Sequence, residues 1–327
     1  MKFRFLHYLF KAHLFLIVFL TAFISNQLTA QEEYTDQPYW SRIPGASSEE
    51  VTYLEITEDQ DIYACVWGYG LHKSTDLGTS WQDLTGNLEN LYINAIEITE
   101  SGMYVGTYGD GIYYSTGDGN WDKRNTGLTN LNVKALIAHN GKIYAGTLGS
   151  GIFISTDNGQ NWEQSIQSMW YLDINDLFVS SNGDILAATN GGGIYRSTNE
   201  GEIWMHSSAG LENKTVTCFA QNETGQLYCG TMGGGIYESV NNGVSWAVYN
   251  ANSMPYFISD IEMINERDPM VATYNDGMWY YSWLYAEWLK SELTAFGVNS
   301  LIKADNGNFF AALPNRGIQV STNEGQT

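Results

Sequence analysis

Cysteine is scarce: the 327-residue chain has three, Cys65, Cys218 and Cys229, and no C-x-x-C pair. That count excludes a disulfide-stapled scaffold and a thiolate metal ribbon. Cys65 reads as a small buried residue of a strand. Cys218 and Cys229 flank the turn at 222–225, and counting inward pairs them across a hairpin. A bridge between them is geometrically conceivable in an exported chain, but adjacent-strand bridges are uncommon, so two free thiols are the expectation. Histidine is equally thin, with His72, His139 and His206 scattered after the first 30 residues. No metal site and no cofactor is expected from such spacing. Positive charge is also sparse: 15 Lys and Arg stand against 36 Asp and Glu, a formal charge of −21. Such a field disfavours nucleic acid and anionic lipid as partners, and its plainest meaning is a solvated acidic surface. After residue 24 no apolar run is long enough to span a bilayer.

What the chain has in abundance is repetition. A phrase of about twenty residues occurs seven times, clearest as IYAGTLGSGIFISTDNGQNW from Ile143. Val66, Thr107, Thr147, Thr189, Thr231, Thr273 and Leu313 occupy one position of it, at steps of 41, 40, 42, 42, 42 and 40 residues. A fixed period of this length means a repeat architecture. The segments are short, rich in Ile, Tyr, Val and Thr, and broken by Gly and Asn, which is strand-and-turn composition rather than helical. Four such strands in about 42 residues make one propeller blade. In the third repeat the strands read as 133–138, 142–147, 151–155 and a fourth from Trp162, joined by short hairpin connections.

The turn before the tryptophan carries a family resemblance. Ser74-Thr75-Asp76-Leu77-Gly78-Thr79-Ser80-Trp81 and Ser155-Thr156-Asp157-Asn158-Gly159-Gln160-Asn161-Trp162 resemble an Asp-box, or BNR repeat. A short Asp or Asn side chain accepts hydrogen bonds from nearby turn amides, Gly supplies a conformation that side chains disfavour, and Trp buries a large ring. Asp76, Asp118 and Asp157 are therefore expected to be structural caps, as are Asn199, Asn241 and Asn323, where an amide replaces the acid. The second copy is one residue short, and the sixth, 282–288, has lost both Asp and Gly.

The seventh copy stops at Gly325-Gln326-Thr327, where Trp should follow, and the early segment Pro38-Tyr39-Trp40-Ser41-Arg42-Ile43 supplies one. Residues 38–43 are expected to complete the last blade, because an open ring would leave unpaired sheet edges. The fold is thus expected to be an all-β, seven-bladed propeller with four antiparallel strands per blade, spanning 38–327. A truncated reading frame with further domains is the alternative. Residues 1–30 read as a secretory signal peptide: Lys2, Arg4 and Lys11 precede an apolar stretch over 14–24, and Leu28-Thr29-Ala30 offers a cleavage site. Residues 31–37 are a linker. The expected location is secreted, periplasmic or at the cell surface.

Two enzyme classes share parts of this pattern. Sialidases also carry Asp-boxes, and Ser41-Arg42-Ile43-Pro44 resembles their Arg-Ile-Pro motif, but the register puts Arg42 in an outermost strand. Only five arginines follow residue 30. Arg316 alone falls in a loop that faces a central pocket. Xyloglucan-hydrolysing glucanases resemble the blades but use two propellers. Asp176 and Asp260, in first strands, are the acid–base candidates of that alternative, a sialidase-like or xyloglucanase-like glycoside hydrolase.

The preferred reading is non-catalytic recognition. Loops joining second to third strands, together with blade-to-blade connectors, gather on one face around the channel. Their glycines repeat while the intervening residues vary, which is where a repeated scaffold can hold function. The loops offer Trp67, Tyr69, Tyr108, Asp110, Leu148, Asn190, Met232, Tyr274, Asp276 and Arg316. The connectors add Tyr92, Trp170, Tyr171, Tyr256 and Phe257. Some of these rings are expected only to pack between blades. The blade phrase is similar to the propellers of two-component regulators, photosystem-assembly-factor-like proteins and sortilins. That resemblance implies a glycan or a protein or peptide ligand and no chemistry in the propeller. A monomer is expected.

Overall fold

In the computed structural model, residues 40–42, 49–166, 168–250, 255–282, 284–293, 296–323 and 325 are described. The proposed leader at 1–30 and linker at 31–37 lie outside them. Among the described residues there is no α-helix, and no helix is long and apolar enough to cross a membrane.

Seven four-stranded antiparallel sheets form the fold, so the blade count and strand order match the expectation. Blade 2 is built from Ile93–Thr99, Gly102–Thr107, Ile112–Ser115 and Asp122–Lys123. Blade 6 is built from Ile258–Met263, Pro269–Thr273, Met278–Ser282 and Glu287–Lys290. Blade 7 takes three strands from the C-terminal region, Ser300–Lys303, Phe309–Leu313 and Gly317–Ser321. Its fourth is Trp40–Arg42, which pairs with the third strand in the register Trp40↔Ser321 and Arg42↔Gln319. The ring is therefore closed by the early segment.

Burial follows the strand period. Second strands are buried, wholly in Ile62–Val66 and Ile185–Thr189 and after the first residue in Gly102–Thr107 and Lys142–Thr147, because both their faces meet a neighbouring blade. Outer fourth strands of only two residues, such as Gln82–Asp83, are exposed and leave little edge for association. Seven apolar clusters fill the spaces between blades. One joins Val51, Leu54 and Ile62 of blade 1 to Ile302 and Phe310 of blade 7 across the seam. Each fully buried aromatic there, such as Phe153 or Phe310, contributes about 1.5–3 kcal/mol from area removed from water.

A β-bulge recurs in the first strand of blades 1 to 6, for instance between Val216 and Cys218. The bulge corrects the cysteine pairing read from spacing. Cys218 faces Gly230, and Cys229 faces Phe219. The extra residue shifts the register by one, the two cysteines are not partners, and all three thiols are free and buried.

Outside blade 6, the turn after the third strand is a closed hydrogen-bond knot. Ser155 Oγ accepts from Gly159 N (2.8 Å) and donates to Asp157 Oδ1 (2.8 Å). Asp157 also accepts from the backbone and side-chain amides of Asn161, and these hold its carboxyl down at about 2. Asp76 behaves likewise through Ser80, and Asp118 through Asn120. At Asn199 and Asn241 the side-chain oxygen accepts the equivalent bond, from Ile203 N (3.1 Å) and Ser245 N (3.0 Å). Asn323 retains the Ser321 contact. The tryptophan after the turn ties its blade to the previous one: Trp121 Nε1 donates to Leu84 O and Trp162 Nε1 to Arg124 O.

Candidate functional site

First strands line a central channel of about 560 Å3. At their upper end, short polar side chains lace blades 1, 2, 4, 6 and 7 to the next blade. Thr52 Oγ1 donates to Ile93 O, Asn94 Nδ2 to Val133 O, Asn175 Nδ2 to Val216 O, Ser259 Oγ to Val298 O and Asn299 Nδ2 to Val51 O. The last of these crosses the seam. Blade 5 breaks the pattern with Thr217, whose hydroxyl donates to Cys218 Sγ, and blade 3 with Lys134, whose pKa is lowered by burial.

Asp176 and Asp260 sit one residue further in, at the bulges. Asp176 Oδ1 accepts from Leu177 N and Oδ2 from Phe219 N of blade 5. Asp260 Oδ1 accepts from Ile261 N and Oδ2 from Leu301 N of blade 7. Both carboxylates thus bridge neighbouring blades with every oxygen engaged. Burial pushes Asp176 up to about 7 and Asp260 up to about 6. Glu55 and Glu262 at about 7 and Glu97 at about 8, raised by the same cause, complete an acidic channel that spacing alone did not single out. Comparison of the seven first strands position by position was the signal available. Among the described residues no group of His, Cys, Asp and Glu is arranged to hold a metal ion.

The loop face is stitched rather than loose. The first loop residue donates its N–H to the connector of its own blade: Trp67 to Glu50, Tyr108 to Tyr92, Leu148 to Asn132, Asn190 to Asp173, Met232 to Thr215 and Tyr274 to Phe257. A loop glycine donates to the next connector, as in Gly68 N to Leu91 O (3.1 Å) and Gly233 N to Tyr256 O (2.8 Å). Asn90, Asn130 and Asn213 each bond back to the following loop at Tyr108, Leu148 and Met232. Blade 4 places Tyr171 at this position. Its ring lies over Gly192, where an added Cβ would come within 2.4 Å of Tyr171 Cγ.

Most of the aromatic residues named from the sequence are exposed on this stitched frame. They fall into two groups. Trp67 meets Tyr92 at 4.8 Å and Tyr108 at 6.4 Å between ring centroids, over blades 1 and 2. Tyr256, Phe257 and Asp276 share a groove of about 570 Å3 on blade 6 with Pro255, Thr273, Asn275 and Trp279. Tyr69 lies outside both groups, and Trp170 projects with 88% of its surface exposed. Met232 bridges by backbone to Phe257, and Arg316 occupies the turn of blade 7. Tyr274 is half exposed yet lines the channel. Burial, then Cys218 and Asp260, push its hydroxyl up to about 12. Tyr92 and Phe257 rest on Gly68 and Gly233, so part of their surface serves blade packing, as expected.

The spacing missed a charged device present in blades 2 and 6. In blade 2, Lys123 pairs with Glu89 (2.7 Å) and Asp110 (3.2 Å), lies 5.5 Å from the Tyr113 ring centroid, and Tyr113 Oη donates to Asp110 Oδ2. In blade 6, Lys290 pairs with Asp276 Oδ1 and lies 5.7 Å from the Trp279 ring centroid. Lysine and aromatic are cross-strand partners in both, Tyr113↔Lys123 and Trp279↔Lys290.

A model of the DUF6242 beta propeller domain matches residues 86–224. No curated protein sequence matches the chain. Among solved structures, the extracellular domain of the putative one component system BT4673 from B. thetaiotaomicron is 14% identical with a TM-score of 0.71. That match covers 86% of this chain but 39% of that one, so the chain spans about two-fifths of that relative's length. YCF48 from Cyanidioschyzon merolae is 13% identical with a TM-score of 0.67, covering 86% of this chain and 98% of that chain. YCF48 bound to D1 peptide gives 13% and 0.68, covering 88% and 98%. PorZ, a surface component of the type-IX secretion system of Porphyromonas gingivalis, is 18% identical with a TM-score of 0.60, covering 84% and 46%. Strand order, blade count and these likenesses make the chain a seven-bladed β-propeller, similar in fold to the propellers of BT4673, YCF48 and PorZ.

Proposed function

We propose that this propeller is an exported recognition module whose loop face binds a glycan, peptide or protein without transforming it. The observation that carries the reading is the concentration of half-exposed aromatic rings on loops fixed by repeated backbone and asparagine hydrogen bonds. Rigid amphipathic rings lose little entropy on binding and supply large contact area. The leader read over residues 1–30 would deliver the propeller outside the cytoplasm. Two fold relatives support the same direction: one is an extracellular domain, and one was solved with a bound peptide. The carboxylates Asp176 and Asp260 have a structural account, since each satisfies two backbone amides across a blade boundary.

The test is binding to glycan and peptide arrays by the native chain and by Trp67→Ala and Trp170→Ala. Loss of binding in these variants supports the loop face, and unchanged binding in both removes it. Turnover of a xyloglucan or sialoside substrate that vanishes in Asp176→Asn would replace the reading with a hydrolase.

A further inference from the structure

Blades 2 and 6 carry an aspartate at the same loop position, a lysine at the same fourth-strand position and an aromatic at the same third-strand position. Blades 1, 3, 4 and 5 have Tyr69, Ser150, Gly192 and Gly234 at the loop position, and Asp83, Gln164, His206 and Val248 opposite the third strand. Aspartate and lysine therefore occur together or not at all in these blades. In blade 2 the device is saturated, because Asp110 accepts from both Tyr113 and Lys123 while Glu89 takes the lysine's other side. In blade 6 it is not. Trp279 has no hydroxyl, and its indole N–H is spent on Asp276 O. Asp276 Oδ2 and the Asn275 side-chain amide have no hydrogen-bond partner among the described residues. Both residues line the blade 6 groove beside Tyr256, Phe257 and Trp279.

The chemistry of that groove selects its occupant. Its volume of about 570 Å3 falls within the ~300–1,000 Å3 range of small-ligand sites. Asp276 and Lys290 neutralise one another, so neither a cation nor an anion gains much there. A purely apolar ligand would leave the carboxylate oxygen and the amide without water or a partner, which costs about 1–3 kcal/mol for each group. An uncharged ligand with adjacent hydroxyls on one side and C–H groups on the other meets all three demands. Hydroxyls donate to Asp276 Oδ2 and exchange bonds with Asn275, while polarised C–H groups lie against the electron-rich faces of Tyr256 and Phe257.

The geometry points to the blade 6 groove as a subsite for a neutral pyranose of a glycan. This assignment rests on the loop face being the recognition surface, and it names the ligand class and the residues that hold it.

The test sets arrays of neutral hexose and pentose oligosaccharides beside a peptide array, followed by titration calorimetry with the strongest saccharide. Tyr256→Ala and Asp276→Asn should each weaken saccharide binding about tenfold, the loss of roughly one good hydrogen bond or stacking contact. Glu89→Gln, a change in the blade 2 device, should leave affinity within about twofold, because that carboxylate lies away from the groove and is already engaged by Lys123. Both blade 6 residues are exposed, and a thermal melt of each variant checks the fold. If saccharide binding survives both blade 6 changes but is lost in Trp67→Ala, the subsite is wrong and the loop face stands. Binding confined to peptides, or no saccharide bound at all, also overturns the subsite. If saccharide binding is indifferent to every loop-face variant, both readings fall.

Discussion

Blades 2 and 6 are built on one plan and end in different states. Each sets an aspartate, a lysine and an aromatic ring together on the loop side. Blade 2 spends every polar atom of its aspartate internally, and its Tyr113 is buried to 1% exposure within an apolar cluster. Blade 6 exchanges tyrosine for tryptophan, loses the turn that elsewhere fixes the fourth strand, and opens a groove at the same place. What differs is not the chemistry present but how much of it the protein consumes. A repeated scaffold acquires a candidate site where one copy stops satisfying itself.

The largest expected effect tests that contrast in stability. Tyr113→Ala should cost about 3–5 kcal/mol in a urea unfolding experiment, as truncation of a buried aromatic does. Trp279→Ala, at a half-buried position, should cost less, about 1–3 kcal/mol. Equal costs would mean that Trp279 is as much core as Tyr113, and the open description of blade 6 would fail.

Second in size are the carboxyls that these blades send into the channel. Asp260→Asn keeps the volume but turns an amide N–H toward the N–H of Leu301 or Ile261, and should destabilise by about 1–3 kcal/mol at pH 7. Glu97, in blade 2, is raised to about 8 by burial and then by Glu55. A carboxyl held above its unfolded value of about 4.3 binds its proton more tightly when folded. The stability it confers is fully present below about pH 4 and is lost as pH climbs through 8. The melting temperature should therefore fall between pH 5 and pH 8.5, and Glu97→Gln should flatten that decline. A decline unchanged in the variant would assign it to other groups.

The smallest effect concerns the exposed ion pair. Lys290→Met should change stability by less than about 1 kcal/mol, since partners this exposed are well screened. A larger loss in the unfolding midpoint would show that the pair props the groove open rather than merely neutralising it.

The blade phrase made the ring legible because each copy repeats the same turn chemistry at one period. Gly78, Gly159, Gly201 and Gly243 all take positive φ, and Trp121, Trp162 and Trp246 all reach back to the previous blade. The closure by Trp40–Arg42 could be read because the last copy lacked the residue that this segment supplies. The grouping of side chains was harder to see. Trp279 meets Lys290 only through a cross-strand register, and blade 6 has no aspartate turn from which that register can be counted. The bulge between Val216 and Cys218 defeated the cysteine count for a similar reason, since one uncounted residue moves every later partner. Tyr92, Tyr256 and Asp276 were visible as departures from the repeat. Asn275 and Lys290 were not, because polar residues on loops and outer strands carry no contrast of their own.

The seam of blade 7 also bears on how the molecule comes into being. Its outer strand is made before any complete blade, yet its partner, Gly317–Ser321, follows the six other blades in the chain. Six blades can assemble in order while this stretch waits, and blade 7 must recruit it across all six of them. Contacts so distant in the chain slow the terminal folding step. Maturation should accordingly pass through an unclosed ring, vulnerable to proteases and to pairing with other chains until the two seam strands pair.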